Sequence, residues 1–264
     1  IGWRIIDEKF MKKADFLSEL KLRLSYGVSG NSGIQPYGTQ SSLTRVPMAF
    51  GESSFQGFAF SPLLGNPDAG WELSRTKNLG IDIGLWKGRV NATIDIYDTR
   101  TSDLLLPRGL PPTTGVQTVY QNIGKTRNRG IELGLSTTNI KAQDFSWTST
   151  LTFTHNKEEI VSLVTGGVND IGNGWFIGQP IDVFYDYEKI GIWQTAEAAK
   201  AAVYGQVPGD IKVKDLNGDN KIDAVNDRRV LAGNNRPKWF GGFDNKITYK
   251  GFDMSVYVLT RWLQ

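Results

Sequence analysis

Period-two alternation over long runs constrains this chain more than any other feature. Leu20, Leu22, Leu24, Tyr26 and Val28 alternate with Lys21, Arg23, Ser25 and Gly27. Leu79, Ile81, Ile83 and Leu85 alternate with Gly80, Asp82 and Gly84, and Val90, Ala92, Ile94 and Ile96 alternate with Asn91, Thr93, Asp95 and Tyr97. Successive side chains of a strand point to opposite faces, so each run predicts a strand with one apolar face and one polar, charged face. The pattern continues with Ile131, Leu133 and Leu135 against Glu132 and Ser136, and with Trp147, Leu151 and Phe153 against Thr148, Thr150, Thr152 and Thr154. A last pair covers 239–249 and 252–262. The fold class predicted is all-β.

The connections are of two kinds, and they alternate strictly. Short turns are expected at Lys87-Gly88, around 139–144 and at Lys250-Gly251, and long Gly/Pro/Asn-rich segments at 29–75, 100–125 and 156–237. In an antiparallel meander successive connections fall at opposite ends of the sheet, so all short turns share one end and all long loops the other. Transmembrane β-barrels of the bacterial outer membrane have this asymmetry, with long loops outside the cell. Strands of about 10–12 residues also have the length a tilted strand needs to cross the hydrocarbon layer. Tyr26, Trp86, Trp147, Trp239, Tyr249, Phe252 and Trp262 sit near strand ends, as an interfacial aromatic girdle requires. Seven such strands cannot close a barrel that begins at eight, and the chain starts at Ile1 without an initiator Met. The chain therefore reads as a segment of a larger barrel, truncated at both ends.

Composition removes other classes. Thirty Lys and Arg against 27 Asp and Glu leave a net charge of +3 over 264 residues, too little and too dispersed for nucleic-acid binding. With no cysteine and the single His155, thiolate chemistry and two-histidine metal sites are excluded. His155, followed by Asn156, Lys157, Glu158 and Glu159, reads as a solvated strand-end residue with no nucleophile beside it. Asp82 and Asp95 form a carboxylate pair of the kind glycosidases use, but their polar-face positions on neighbouring strands suit a barrel lumen better.

Several motifs carry a family resemblance. Asn66-Pro67-Asp68-Ala69-Gly70-Trp71-Glu72 with Asn78-Leu79-Gly80-Ile81-Asp82, and Tyr120-Gln121-Asn122-Ile123-Gly124 with Asn128-Arg129-Gly130-Ile131-Glu132, resemble the C-terminal barrel of TonB-dependent outer-membrane receptors. The segments from Leu22 to Asn31, Gly191 to Gln194 and Pro208 to Ile211, leading into Asp215-Leu216-Asn217-Gly218-Asp219, resemble the SusC/RagA branch of the Bacteroidetes. The resemblance implies a barrel of 22 strands in the outer membrane, an N-terminal plug, the TonB complex as energy source and a SusD-like surface lipoprotein as partner. It implies oligosaccharide or peptide cargo and no enzymatic activity.

Asp215, Asn217, Asp219, Lys221 (through its carbonyl) and Asp223 stand at positions one, three, five, seven and nine of an EF-hand-like loop, the oxygen set that Ca²⁺ takes. Asn220 replaces the usual Gly at position six, a residue that still tolerates left-handed backbone. Asn226 stands at position twelve and the carboxylate of Asp227 comes one residue late, so an ion-free turn rich in Asp and Asn is the competing reading. Trp175, Tyr185, Tyr187 and Trp193, in the same long loop, are candidates for stacking on cargo or partner; packing within the loop is the commoner use of such aromatics. Thr195 followed by Ala196 to Ala202 predicts a short capped helix. Two other readings stay open: a soluble β-sandwich that binds carbohydrate and calcium, and a β-rich glycoside hydrolase. A barrel segment would contact outer-membrane lipid and expose Leu79 to Leu85 and Val90 to Ile96 as one apolar band; a sandwich would bury them.

Overall fold

The computed structural model describes residues 1–33, 36–163, 167–234 and 236–263. Residues 34–35, 164–166 and 235, within the expected long loops, lie outside the described set. In chain order the strands are β1 (Gly2–Arg4), β2 (Leu17–Asn31), β3 (Leu43–Phe50), β4 (Ser53–Phe60), β5 (Leu63–Leu64), β6 (Glu72–Leu85), β7 (Val90–Gly109), β8 (Thr118–Lys141), β9 (Phe145–Ser162), β10 (Tyr185–Tyr187), β11 (Lys189–Ile192), β12 (Ile211–Val213), β13 (Arg228–Val230), β14 (Trp239–Tyr249) and β15 (Phe252–Trp262). Among the described residues one α-helix, α1, covers Ala198–Val203, and short 3-10 turns at Ile5–Asp7 and Lys9–Met11 lie in the connection from β1 to β2.

One wide sheet dominates, in the order β1-β2-β6-β7-β8-β9-β14-β15, with β5 added parallel to β8. Its seven long strands are the seven the alternation predicts, and each pairs antiparallel with the next. At the β6–β7 turn Trp86 and Lys87 take positive φ (50° and 58°), and Lys250 does so at the β14–β15 turn (50°). That left-handed geometry matches a tight hairpin to the twist of its strands.

The register lines up one apolar row after another. Leu20, Ile83, Ala92, Leu135, Leu151, Phe243 and Val258 face each other across seven strands, as do Leu24, Leu79, Ile96, Ile131, His155, Trp239 and Trp262. Among the described residues nothing covers this face: Leu24 and Ile96 are each 50% exposed and Leu79 is 39% exposed. Burial on that scale would stabilise a sandwich, so a sheet that leaves it bare is made for an apolar solvent. The eleven residues of β14 and of β15 run from the stacked Trp239–Trp262 pair (ring centroids 6.5 Å apart) to Tyr249 and Phe252. At about 3.4 Å per residue and a tilt of ~35–45°, this spans roughly 25 Å, the height of a barrel's apolar band between aromatic girdles.

The strands run further than the membrane requires. β9 continues to Ser162, so His155 and Asn156 lie inside it and not at its end. β7 and β8 reach Gly109 and back from Thr118. Hydrophobic periodicity ends with the lipid, whereas backbone pairing continues for as long as a neighbour offers hydrogen bonds. The expected loop at 100–125 is accordingly a strand extension around a turn at 110–117, with a bulge where Asp103 takes φ 60°. The buried apolar side chains among the described residues, Leu105, Val119, Ile160, Leu163, Phe176, Trp193 and Ala201, all belong to this loop end.

Candidate functional site

The polar face of the sheet carries the first site. Arg23 on β2 donates through Nε and Nη2 to Asp82 on β6 (2.8 and 3.0 Å) and through Nη2 to Asp95 on β7 (2.9 Å). Asn78 donates to the other Asp95 oxygen at 2.7 Å. The two carboxylates weighed above as a pair therefore share one guanidinium, which leaves neither placed as a free acid. Arg23 escaped that reading because its partners are 59 and 72 residues away; its polar-face parity in β2 was the only signal.

A recurring device makes such reach across strands feasible. Arg23 lies over Gly80 to meet Asp95. Tyr97 lies over Gly130, its direct neighbour in the ladder, and donates its hydroxyl to Asn156 on β9 at 3.1 Å. Tyr257 lies over Gly242, with Thr152 of β9 beyond it. In each case a glycine on the middle strand gives the long side chain room to cross.

The segments that carry the resemblance meet above the wall. Asn66 donates to the Tyr120 carbonyl at 2.7 Å, and Asn122 accepts from the Gly70 N–H (2.7 Å) while donating to the Gly70 and Asp103 carbonyls (2.9 and 2.7 Å). Glu72 accepts from the Leu105 N–H at 3.0 Å and from Asn31 at 2.9 Å. The Trp71 ring lies against Gly30. These contacts clamp the loop before β6 to the extended β7–β8 hairpin.

The longest loop is a folded unit. β10 pairs with β13 and β11 with β12, making one bent antiparallel ribbon into which 214–227 is inserted as a side loop. Glu188 sits at the bend, 3.4 Å from Lys214 and 2.5 Å from Arg229, at the two ends of the insertion. Arg236 ties the base of the unit to β9 through Glu158 and to Asp182, both at 2.7 Å. Trp193 is only 5% exposed; it donates to Gln206 at 2.6 Å, packs against Tyr204 and lies under the Lys212 ammonium. Its covered ring forms the core of the ribbon and is not free to stack on cargo. Tyr185 packs on Phe176 (4.8 Å) and under Arg228, and Tyr187 pairs in the ribbon, while Trp175 bridges to Asp170 and lines a small apolar cavity together with Leu104, Leu106 and Ile160. These four aromatics are thus built into the loop end at different places. The predicted helix starts differently too: the Glu197 carboxylate, and not Thr195, accepts the free Gln194 N–H (3.2 Å), and Lys212 donates to Glu197 at 2.7 Å. Those two donors hold the Glu197 carboxyl below the usual range, the Lys212 ammonium contributing most.

In the inserted loop, Asp215 accepts from the N–H groups of Gly218 (2.6 Å) and Asn220 (2.9 Å), Asn217 from Asp219 (3.1 Å) and Asp219 from Lys221 (2.8 Å). Asn220 takes φ 65°, the left-handed conformation expected of position six. Partial burial pushes the Asp215 carboxyl up, but the Asn220 and Gly218 N–H groups outweigh it and hold its pKa below the ordinary value. Asp223 is held low by the Asn226 and Val225 N–H groups. Asp227 is fully buried, and its two oxygens accept the Leu216 and Asp223 N–H groups at 2.9 and 2.8 Å. Among the described residues no three carboxylates or imidazoles converge on one point. Asp215, Asn217 and Asp219 thus accept from backbone donors as Asp223 and Asp227 do, and Asp219 also accepts from the Asn217 amide at 2.9 Å; the donor set is oxygen-rich, of the kind a hard cation takes.

Residues 2–257 match the family described as TonB dependent receptor-like, beta-barrel. The chain is similar to TonB-dependent receptor P3 of Formosa agariphila, 33% identical over 271 residues that cover 97% of this chain and 27% of that receptor. It is similar to TonB-dependent receptor SusC of Bacteroides thetaiotaomicron, 30% identical over 265 residues, 97% of this chain and 26% of SusC. Among solved structures, the RagAB peptide transporter superposes with a TM-score of 0.78 at 27% identity, over 98% of this chain and 28% of that one. The RagAB peptide importer in its open-open state does so with a TM-score of 0.79 at 26% identity, over 98% of this chain and 27% of that one. This chain thus spans about a quarter of the length of its relatives, and, with its lipid-facing apolar band, charged inner face and long loops gathered at one end, it belongs to the TonB-dependent receptor β-barrel family of the outer membrane.

Proposed function

We propose that this chain forms part of the wall and the external loops of an outer-membrane importer that takes up an oligosaccharide or peptide cargo together with a SusD-like surface lipoprotein, powered by the TonB complex. The observation that carries this reading is one wide sheet with a bare apolar face, an opposite face holding Arg23, Asp82 and Asp95, and its long folded loops gathered at one end, opposite the tight hairpins and the short connection 5–16. Such a wall separates lipid from a polar passage, and the loops stand where cargo arrives. Similarity to a peptide transporter supports the peptide arm, and similarity to receptors and transporters supports a role without catalysis. Inactivating the receptor that contains this chain should abolish energy-dependent uptake of labelled oligopeptides or of labelled oligosaccharides, with complementation restoring it. Unchanged uptake of both classes would sink the proposal.

Calcium belongs to the same reading. With Asp215, Asn217, Asp219 and the Lys221 carbonyl as its ligands, one Ca²⁺ would cross-link the side loop at the millimolar concentrations found outside cells. Calorimetry on the intact receptor should show uptake that Asp215→Ala with Asp219→Ala removes; no uptake at millimolar calcium leaves the ion-free turn.

A further inference from the structure

We propose that the lipid-facing side of β6 to β9 carries a binding site for a phosphorylated lipid of the outer leaflet. The site follows from register. One step above the row that ends the apolar band (Leu24, Leu79, Ile96, Ile131, His155), the next outward-facing row places Lys77, Asp98, Arg129 and Lys157 side by side. The row above that places Arg75, Arg100, Arg127 and Glu159. Two residues of strand advance about 7 Å, or some 5 Å along the membrane normal after tilt, so the two rows stand at headgroup depth.

Charge and shape both select the occupant. Six cations meet two anions across these rows. Asp98 is engaged by Arg127 and lies 3.8 Å from Arg100, and Glu159 lies 3.5 Å from Arg129. Lys77 and Lys157 make no ion pair among the described residues, and Arg75 donates only to the Ser102 hydroxyl, at 2.9 Å. The carboxylates therefore hold the guanidiniums in place without cancelling the surplus. Below the cations an open groove of about 1200 Å³ has Leu24, Leu79, Ile96 and Ile131 as its floor, with Lys77, Asp98, Arg129 and Lys157 on its upper side, three cations to one anion. An acyl chain lies on such a floor, and the phosphate at its head meets several N–H donors at once. Lys and Arg stems reach this depth with their aliphatic parts in the apolar zone and their charges in the headgroups. A free phosphate would use the cations alone and leave the floor bare, so a lipid is the occupant that uses both.

The test takes the intact receptor in mild detergent and titrates it with lipid A carrying its phosphates, and with the same lipid after phosphatase treatment. The phosphorylated form is expected to bind at least tenfold more tightly, and millimolar inorganic phosphate is expected not to displace it. Combining Lys77→Gln, Arg129→Gln and Lys157→Gln should weaken binding roughly fivefold per cation, on the order of a hundredfold in all. Equal binding of the two lipids, an unaffected triple variant, or displacement by free phosphate would each overturn the proposal. Should the triple variant fail to fold, wild-type binding decides: it must weaken between about 0.05 and 0.5 M salt, and salt-independent binding overturns the site. Import assays do not enter, so the outcome is separate from that of the transport reading.

Discussion

Gly80 of β6 lies directly opposite Arg23 of β2, and a Cβ placed on it would stand 2.6 Å from the Arg23 Cζ and 2.5 Å from an Asp95 oxygen. The glycine is what allows the guanidinium to lie flat across one strand and reach the next. Gly80→Ala should push Arg23 off Asp95 and cost about 1–2 kcal/mol of barrel stability, the worth of a partly exposed charge-assisted hydrogen bond. Urea unfolding of the lipid-embedded receptor would measure it, with Gly134→Ala, which has nothing within 4 Å of an added Cβ, as the neutral control.

Asp227 is expected to hold the side loop closed whether or not calcium is present. Asp227→Ala would leave the part-buried Leu216 and Asp223 N–H groups without their acceptors, at about 1–3 kcal/mol of local stability. Amide exchange over 214–228 should accelerate by one to three orders of magnitude. The exposed Asp219→Ala should change it far less, and an equal effect from the two would show that Asp227 is not the anchor.

Protonation should loosen the same loop only in acid. The Asp215 and Asp223 carboxyls both have lowered values in the folded loop. Groups of that kind contribute fully above the unfolded Asp value of about 3.9 and lose the contribution as pH falls through the folded value. Protease resistance of 214–228 should therefore stay level from about pH 7 to 5 and decline only below about 4. A decline centred near pH 6 would contradict it.

Sidedness is open to a direct test, because the chain contains no cysteine. Ala202→Cys, on α1 of the long loop, should react with a membrane-impermeant maleimide on intact cells. Gln143→Cys, in the β8–β9 turn, should react only after the outer membrane is opened. The reverse pattern would invert the wall.

Much of this was written in the alternation of side chains. The two faces of Leu20 to Val28 or of Val90 to Tyr97 follow from a period of two and need no knowledge of neighbours. The hairpin ends follow from Gly and Asn-rich turns, and the left-handed Asn220 from its place in the Asp215 loop. What the sequence by itself determined was therefore local: which segments are strands, which face of each is apolar, and on which end the long loops lie. The lateral relations came only from tertiary structure. Register decides that Arg23 meets Asp82 and Asp95, that Tyr97 crosses Gly130 to Asn156, and that Lys77, Arg129 and Lys157 share one row. Folding of the loop decides that Trp193 is buried by Gln206, Tyr204 and Lys212, from 11 to 19 residues further on. Strand length beyond the membrane was hidden for the same reason: pairing depends on the hydrogen bonds a neighbouring strand supplies, and one strand's own residues carry no record of that neighbour.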